Sequence, residues 1–176
     1  MSDSESRINP ADLARDVLKQ YLEKGSLPKL PQPLPPEYEV KAGAFVSLKK
    51  GGSLRGCIGT VLPVRENLAE EIMANAVSAA KNDPRFLPVT REELADLVIT
   101  VDILSPMERI RSVDDLDPKI YGVFVRCGSR SGLLLPDLEG VDTVDEQINI
   151  ARHKAGIAEN EPAELYRFKV TRYGEK

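Results

Sequence analysis

Between Ala44 and Leu62 the chain reads as a β-hairpin, and a hairpin there restricts what the remainder can build around it. Ala44, Val46 and Leu48 fall on one face of a first strand, Lys50-Gly51-Gly52-Ser53 is a turn signal, and Leu54 to Leu62 is the return strand. The return strand opens with Leu54-Arg55-Gly56-Cys57-Ile58-Gly59. Alternation places Arg55, Cys57 and Gly59 on one face and Leu54, Gly56 and Ile58 on the other. Glycines on both sides of a thiol leave the backbone bare, so another group can approach closely. A guanidinium two residues away favours the thiolate. The segment therefore has two readings. Cys57 is a nucleophile or thiolate ligand activated by Arg55, or it is a small packed residue in a glycine-kinked strand.

The flanking sequence supplies helices and further strands in alternation. Asn9 and Pro10 open a helix with Leu13, Val17, Leu18, Tyr21 and Leu22 on one face, and Gly25 closes it. Residues 1–8 read as a loose tail, and 26–39, with five prolines, as an extended arm on the domain surface. A second helix spans Asn67 to Lys81, and Asn82-Asp83-Pro84 breaks it. Thr90 with Glu93 and Thr143 with Glu146 are capping boxes for two more helices, the first running through Leu94 and Leu97. Strands are predicted at Leu97–Leu104, Ile120–Cys127, Leu133–Leu135 and Leu165–Tyr173, with Tyr166, Phe168 and Val170 on the inner face of the last; residues 107–118 read as irregular. Hairpin-like connections among interleaved helices favour an α+β fold with a largely antiparallel sheet flanked by helices.

Length and charge narrow the classes further. The 176 residues fit a single domain. A net charge of −4 argues against general nucleic-acid binding, which wants a basic face. The absence of a long apolar run argues against a membrane span, and the polar start of the chain against a secretory leader, so a cytoplasmic protein is expected. Cys57 and Cys127, with His153 as the single histidine, have no short spacing and make no zinc site.

Other chemistry-bearing residues each have a plain structural alternative. Asp83-Pro84-Arg85-Phe86 sets a carboxylate and a guanidinium on a stiff turn; they bind an anion and orient the thiol, or they pair only with each other. His153, near a helix end, suits the helix dipole. The 128–132 loop, with Arg130, either cradles an anion or turns a hairpin. Arg167, Lys169 and Arg172 read as a solvated, charged strand face.

With these residues in view, the chain resembles the AMMECR1 family, called AmmeMemoRadiSam system protein A in microbes. The hallmark is Leu54-Arg55-Gly56-Cys57-Ile58-Gly59; Asp83-Pro84-Arg85-Phe86, Pro88 to Leu94, Gly122-Val123, Leu133 to Pro136 and Tyr166-Arg167-Phe168 follow in family order over residues 40–174. The resemblance implies one α+β domain with a larger and a smaller lobe, motif residues near a cleft between them, and a genomic association with a Memo-like (dioxygenase-related) protein and a radical SAM protein. It implies no established activity and no cofactor. Two functions follow. In the first, the protein acts on a small anionic molecule, with Cys57 as nucleophile or redox thiol, Arg55 lowering its pKa, Arg85 holding the ligand's charge, Asp83 orienting an arginine, and Gly56 and Gly59 granting access. In the second, it is a non-catalytic partner of the Memo-like and radical SAM proteins.

Overall fold

The computed structural model describes residues 8–175, so the tail expected at 1–8 falls almost wholly outside the described residues. Two compact units are present: residues up to Ile103 together with those from Arg172 onward, and residues Leu104–Thr171. Both are mixtures of helix and largely antiparallel sheet, the class expected from the sequence.

In the first unit, α1 (Pro10–Lys24) starts at Asn9, whose side chain accepts from the Ala11 N–H, and stops at Gly25 in the left-handed conformation. The arm after it places Leu30 and Leu34 against the core. It ends in the single turn α2 (Pro36–Glu39), where Tyr38 is buried and its hydroxyl donates to the Ile8 carbonyl at 2.5 Å. The hairpin of β1 (Ala44–Lys50) and β2 (Ser53–Thr60) follows, then α3 (Leu68–Lys81), a 3-10 turn at Arg91–Asp96 and β3 (Leu97–Leu104). With the last strand, β8 (Val170–Gly174), these form a sheet in the order β2-β1-β3-β8. Val46, Leu48, Ile99 and Val101 point inward against Val17, Leu18, Ile72 and Ala76 of α1 and α3, all fully buried. The period-2 pattern of the strands and the helical stripes thus meet in one core.

The second unit holds β4 (Glu108–Arg109), β5 (Gly122–Cys127), β6 (Arg130–Leu134), α4 (Val144–Ala155) and β7 (Glu164–Phe168), with strand order β4-β7-β5-β6. Its core is Val123, Val125 and Leu134 of the sheet against Ile148 and Ala151 of α4. The capping box at Thr143 and Glu146 is formed, and Gly156 ends the helix.

Three expectations are corrected. The strand expected from Leu165 to Tyr173 is two strands, β7 and β8, in different sheets. The Thr90–Glu93 capping box exists, but it opens a 3-10 turn and Leu97 already belongs to β3. The 107–118 stretch contributes the short β4, which pairs antiparallel with β7.

Candidate functional site

The hallmark segment is β2, the edge strand of the first sheet. Gly56 faces inward, where α3 presses on it: a Cβ at Gly56 would lie 2.2 Å from the Ala79 carbonyl oxygen. Only glycine permits that approach. Because α3 is seated there, its exit at Asn82 and Pro84 carries Asp83 to the outer edge of β2. The Asp83 carboxylate accepts the Cys57 backbone N–H at 3.0 Å.

Arg85 completes the arrangement. Its Nε and Nη2 donate to Asp83 Oδ1 and Oδ2 at 3.0 and 2.8 Å, and Nη2 also donates to the Cys57 carbonyl at 3.3 Å. The side-chain pair thus stands in for a missing neighbour strand at one residue of an otherwise unpaired edge. With both backbone groups of Cys57 turned outward, Cys57 and its partner Ser47 on β1 form a non-hydrogen-bonded pair, the closer of the two antiparallel geometries. Their side chains meet at 3.2 Å, Ser47 Oγ to Cys57 Sγ. Cys57 is a free thiol and half-buried.

Charge is fixed here by pairing, not by burial. The Asp83 side chain is 2% exposed and that of Arg85 55%. The Arg85 guanidinium, helped by the N–H groups of Cys57 and Arg85, holds the Asp83 carboxyl well below the usual range despite the opposing cost of burial.

Arg55 is placed differently from the alternation pattern. The β1–β2 register slips between Leu48, opposite Gly56, and Lys49, opposite Leu54, so Arg55 is the extra residue of a bulge. A bulge re-aims its side chain. Arg55 Nε and Nη2 donate to the two Glu93 carboxylate oxygens at 3.0 Å each, and Nη1 donates to the Leu87 carbonyl at 2.9 Å. Lys50 joins the same carboxylate at 3.1 Å. Glu93 is lowered to about 2, first by Arg55 and then by the Thr90 N–H. Among the described residues no hydrogen bond joins Arg55 to the sulfur.

Gly59 serves the same face. A Cβ there would lie 2.3 Å from the Phe45 ring, so Gly59 is the seat on which that ring rests. The structure therefore gathers Cys57, Gly56, Gly59, Asp83 and Arg85, and sends Arg55 to Glu93. Cys127 and His153 belong to the second unit, where Cys127 lies 3.6 Å from Arg130 Nη2 and Arg130 pairs with Glu161.

Two polar clusters escaped the sequence reading. Glu71, 1% exposed, accepts from Thr60 Oγ1 and from the Val64 and Arg65 N–H groups, while Asn75 donates to the Ala44 carbonyl. Both sit in the apolar stripe of α3 and carry no signal of their own. Asp102, 2% exposed, is paired by Arg172 rather than lying on a solvated face. Among the described residues no cluster of three or more His, Cys, Asp or Glu is placed to hold a metal, and no helix is long and apolar enough to cross a membrane.

Comparison with known proteins matches the chain to one family. A protein of Thermotoga maritima is 55% identical over 160 residues, covering 89% of this chain and 92% of its own. A Clostridium acetobutylicum protein is 50% identical over 165 residues, and the match covers 93% of this chain but 35% of that longer protein. The crystal structure of an uncharacterized protein from Pyrococcus horikoshii superimposes with a TM-score of 0.85 at 33% identity, covering 95% of this chain and 90% of that one. The AMMECR1 family model matches residues 11–173, and the chain belongs to the AMMECR1 family.

Proposed function

We propose that the protein binds a small anionic molecule beside Cys57, with the Cys57 thiol as the reacting group and Arg85 as the group that receives the anion. The observation that carries this reading is the Asp83–Arg85 clamp. A buried carboxylate fixes a half-exposed guanidinium against the backbone of the cysteine itself. Such a fixed donor loses little freedom on binding an anion. Ser47, in contact with the sulfur, orients the thiol. Arg55 acts at one remove, through Glu93, by holding the 87–93 segment beside β2.

Charge-selective alkylation tests the reading. In a Cys127→Ser background, the rate with iodoacetate is divided by that with neutral iodoacetamide and compared with the same ratio for glutathione. The expected ratio exceeds that of glutathione by about tenfold and falls in Arg85→Gln. A ratio equal to that of glutathione overturns the reading.

A second reading, a non-catalytic partner of Memo-like and radical SAM proteins, is favoured by the length of the Clostridium relative, in which the matching region is part of a much longer chain. Co-purification of such a partner with Cys57→Ala as efficiently as with the native chain would support it over thiol chemistry.

A further inference from the structure

We propose that Arg172 is a second anion anchor of the Cys57 site, and that the ligand taken there is a small molecule with two anionic groups. This rests on the reading of Cys57 and Arg85 given above. The register of the first sheet supplies the placement. Cys57, Ser47 and Thr100 lie opposite one another across β2, β1 and β3, and Gly59, Phe45 and Asp102 form the row two residues along. A step of two keeps both rows on one face. That face is turned away from α1 and α3, whose core takes the alternate residues Val46, Leu48, Ile99 and Val101.

Asp102 and Arg172 repeat the construction of Asp83 and Arg85. Arg172 Nε and Nη2 donate to Asp102 Oδ1 and Oδ2 at 2.7 and 2.8 Å. The carboxylate is 3% exposed and the guanidinium side chain 66%. A fork gripped along one edge presents its Nη1 amino group in a set direction. Neither guanidinium is a free-swinging surface charge: each is held by a buried carboxylate. Within the second row, the Phe45 ring on Gly59 gives an apolar floor. Two fixed cations with an apolar patch between them match a short carbon frame bearing an anionic group at each end, whether carboxylate or phosphate.

The test extends the alkylation measurement to Arg172→Gln, to Arg172→Lys, and to the double variant Asp102→Asn with Arg172→Gln, which avoids stranding a buried carboxylate. A circular dichroism spectrum and denaturant midpoint matching those of the native chain certify that each is folded. The iodoacetate preference is expected to fall about fivefold on loss of the Arg172 charge and to recover partly with lysine. Succinate is expected to slow labelling of the native chain more than butyrate at matched ionic strength, and to lose that advantage without Arg172. A preference over glutathione that survives in both glutamine variants overturns the role of Arg172 and leaves the single-anion reading standing. Equal protection by succinate and butyrate overturns the two-anion ligand. No preference in the native chain removes both readings together.

Discussion

The two units use the same packing device and finish it differently. In the first, the Ala79 carbonyl of α3 is seated on Gly56 of β2; in the second, the Ala151 carbonyl of α4 is seated on Gly132 of β6, and a Cβ at either glycine would lie 2.2 Å from that oxygen. Each unit also holds a half-buried free thiol with an arginine in reach. At Cys127 the arginine is three residues away, touches the sulfur, and is paired with Glu161, whose side chain is 34% exposed. At Cys57 the nearby Arg55 turns away, and the arginine that reaches the cysteine backbone comes from beyond α3, paired with a carboxylate only 2% exposed. Closeness in sequence is satisfied literally at the thiol with the weaker framework. What distinguishes Cys57 is a buried counter-charge, which holds its arginine in place where a solvated one would not.

The largest effects test the shared device. Gly56→Ala and Gly132→Ala each force a methyl into a helix carbonyl and are expected to cost about 3 kcal/mol, read from denaturant midpoints. A much smaller cost at one glycine would show that its helix can retreat and would end the equivalence. Next comes the counter-charge. Asp83→Asn weakens bonds to a guanidinium and a buried N–H, so a loss of about 2 kcal/mol is expected, with altered iodoacetamide labelling of Cys57.

Acid sharpens the same point. Asp83 and Glu93 both titrate below their ordinary values in the folded state. Each therefore contributes stability that is complete above about pH 4.5 and is lost as pH falls through the folded value, about 2 for Glu93. The drop in denaturant midpoint between about pH 6 and about pH 2.5 should shrink in Asp83→Asn and in Glu93→Gln. The smallest effect is expected from Glu161→Gln, whose exposed pair with Arg130 should leave the midpoint at neutral pH unchanged within error.

Much of the fold was legible because it was written locally. Asn9, Pro10 and Gly25 bound α1 through cap geometry that needs no tertiary partner, and Thr143, Glu146 and Gly156 do the same for α4. The hairpin turn at Gly51-Gly52 fixed β1 and β2 as neighbours. The unread parts depend on distant residues. One extra residue at Arg55 alters the direction of a side chain without altering the alternation of apolar residues that a reader sees. Asp102 and Arg172 meet across 70 positions of the chain, and each alone looks like an ordinary surface charge. The break between β7 and β8 falls at Lys169 within a run of strand-forming residues, so periodicity carries no trace of it.

That break has a consequence for the order in which the protein is made. The second unit is continuous in sequence, whereas the first needs β8, supplied after it. During synthesis β3 waits as an uncovered edge through some seventy residues, roughly the span from Ile103 to Arg172. The first unit, which begins the chain, is therefore the last to be completed, and the arginine that clamps Asp102 arrives with the strand that completes it.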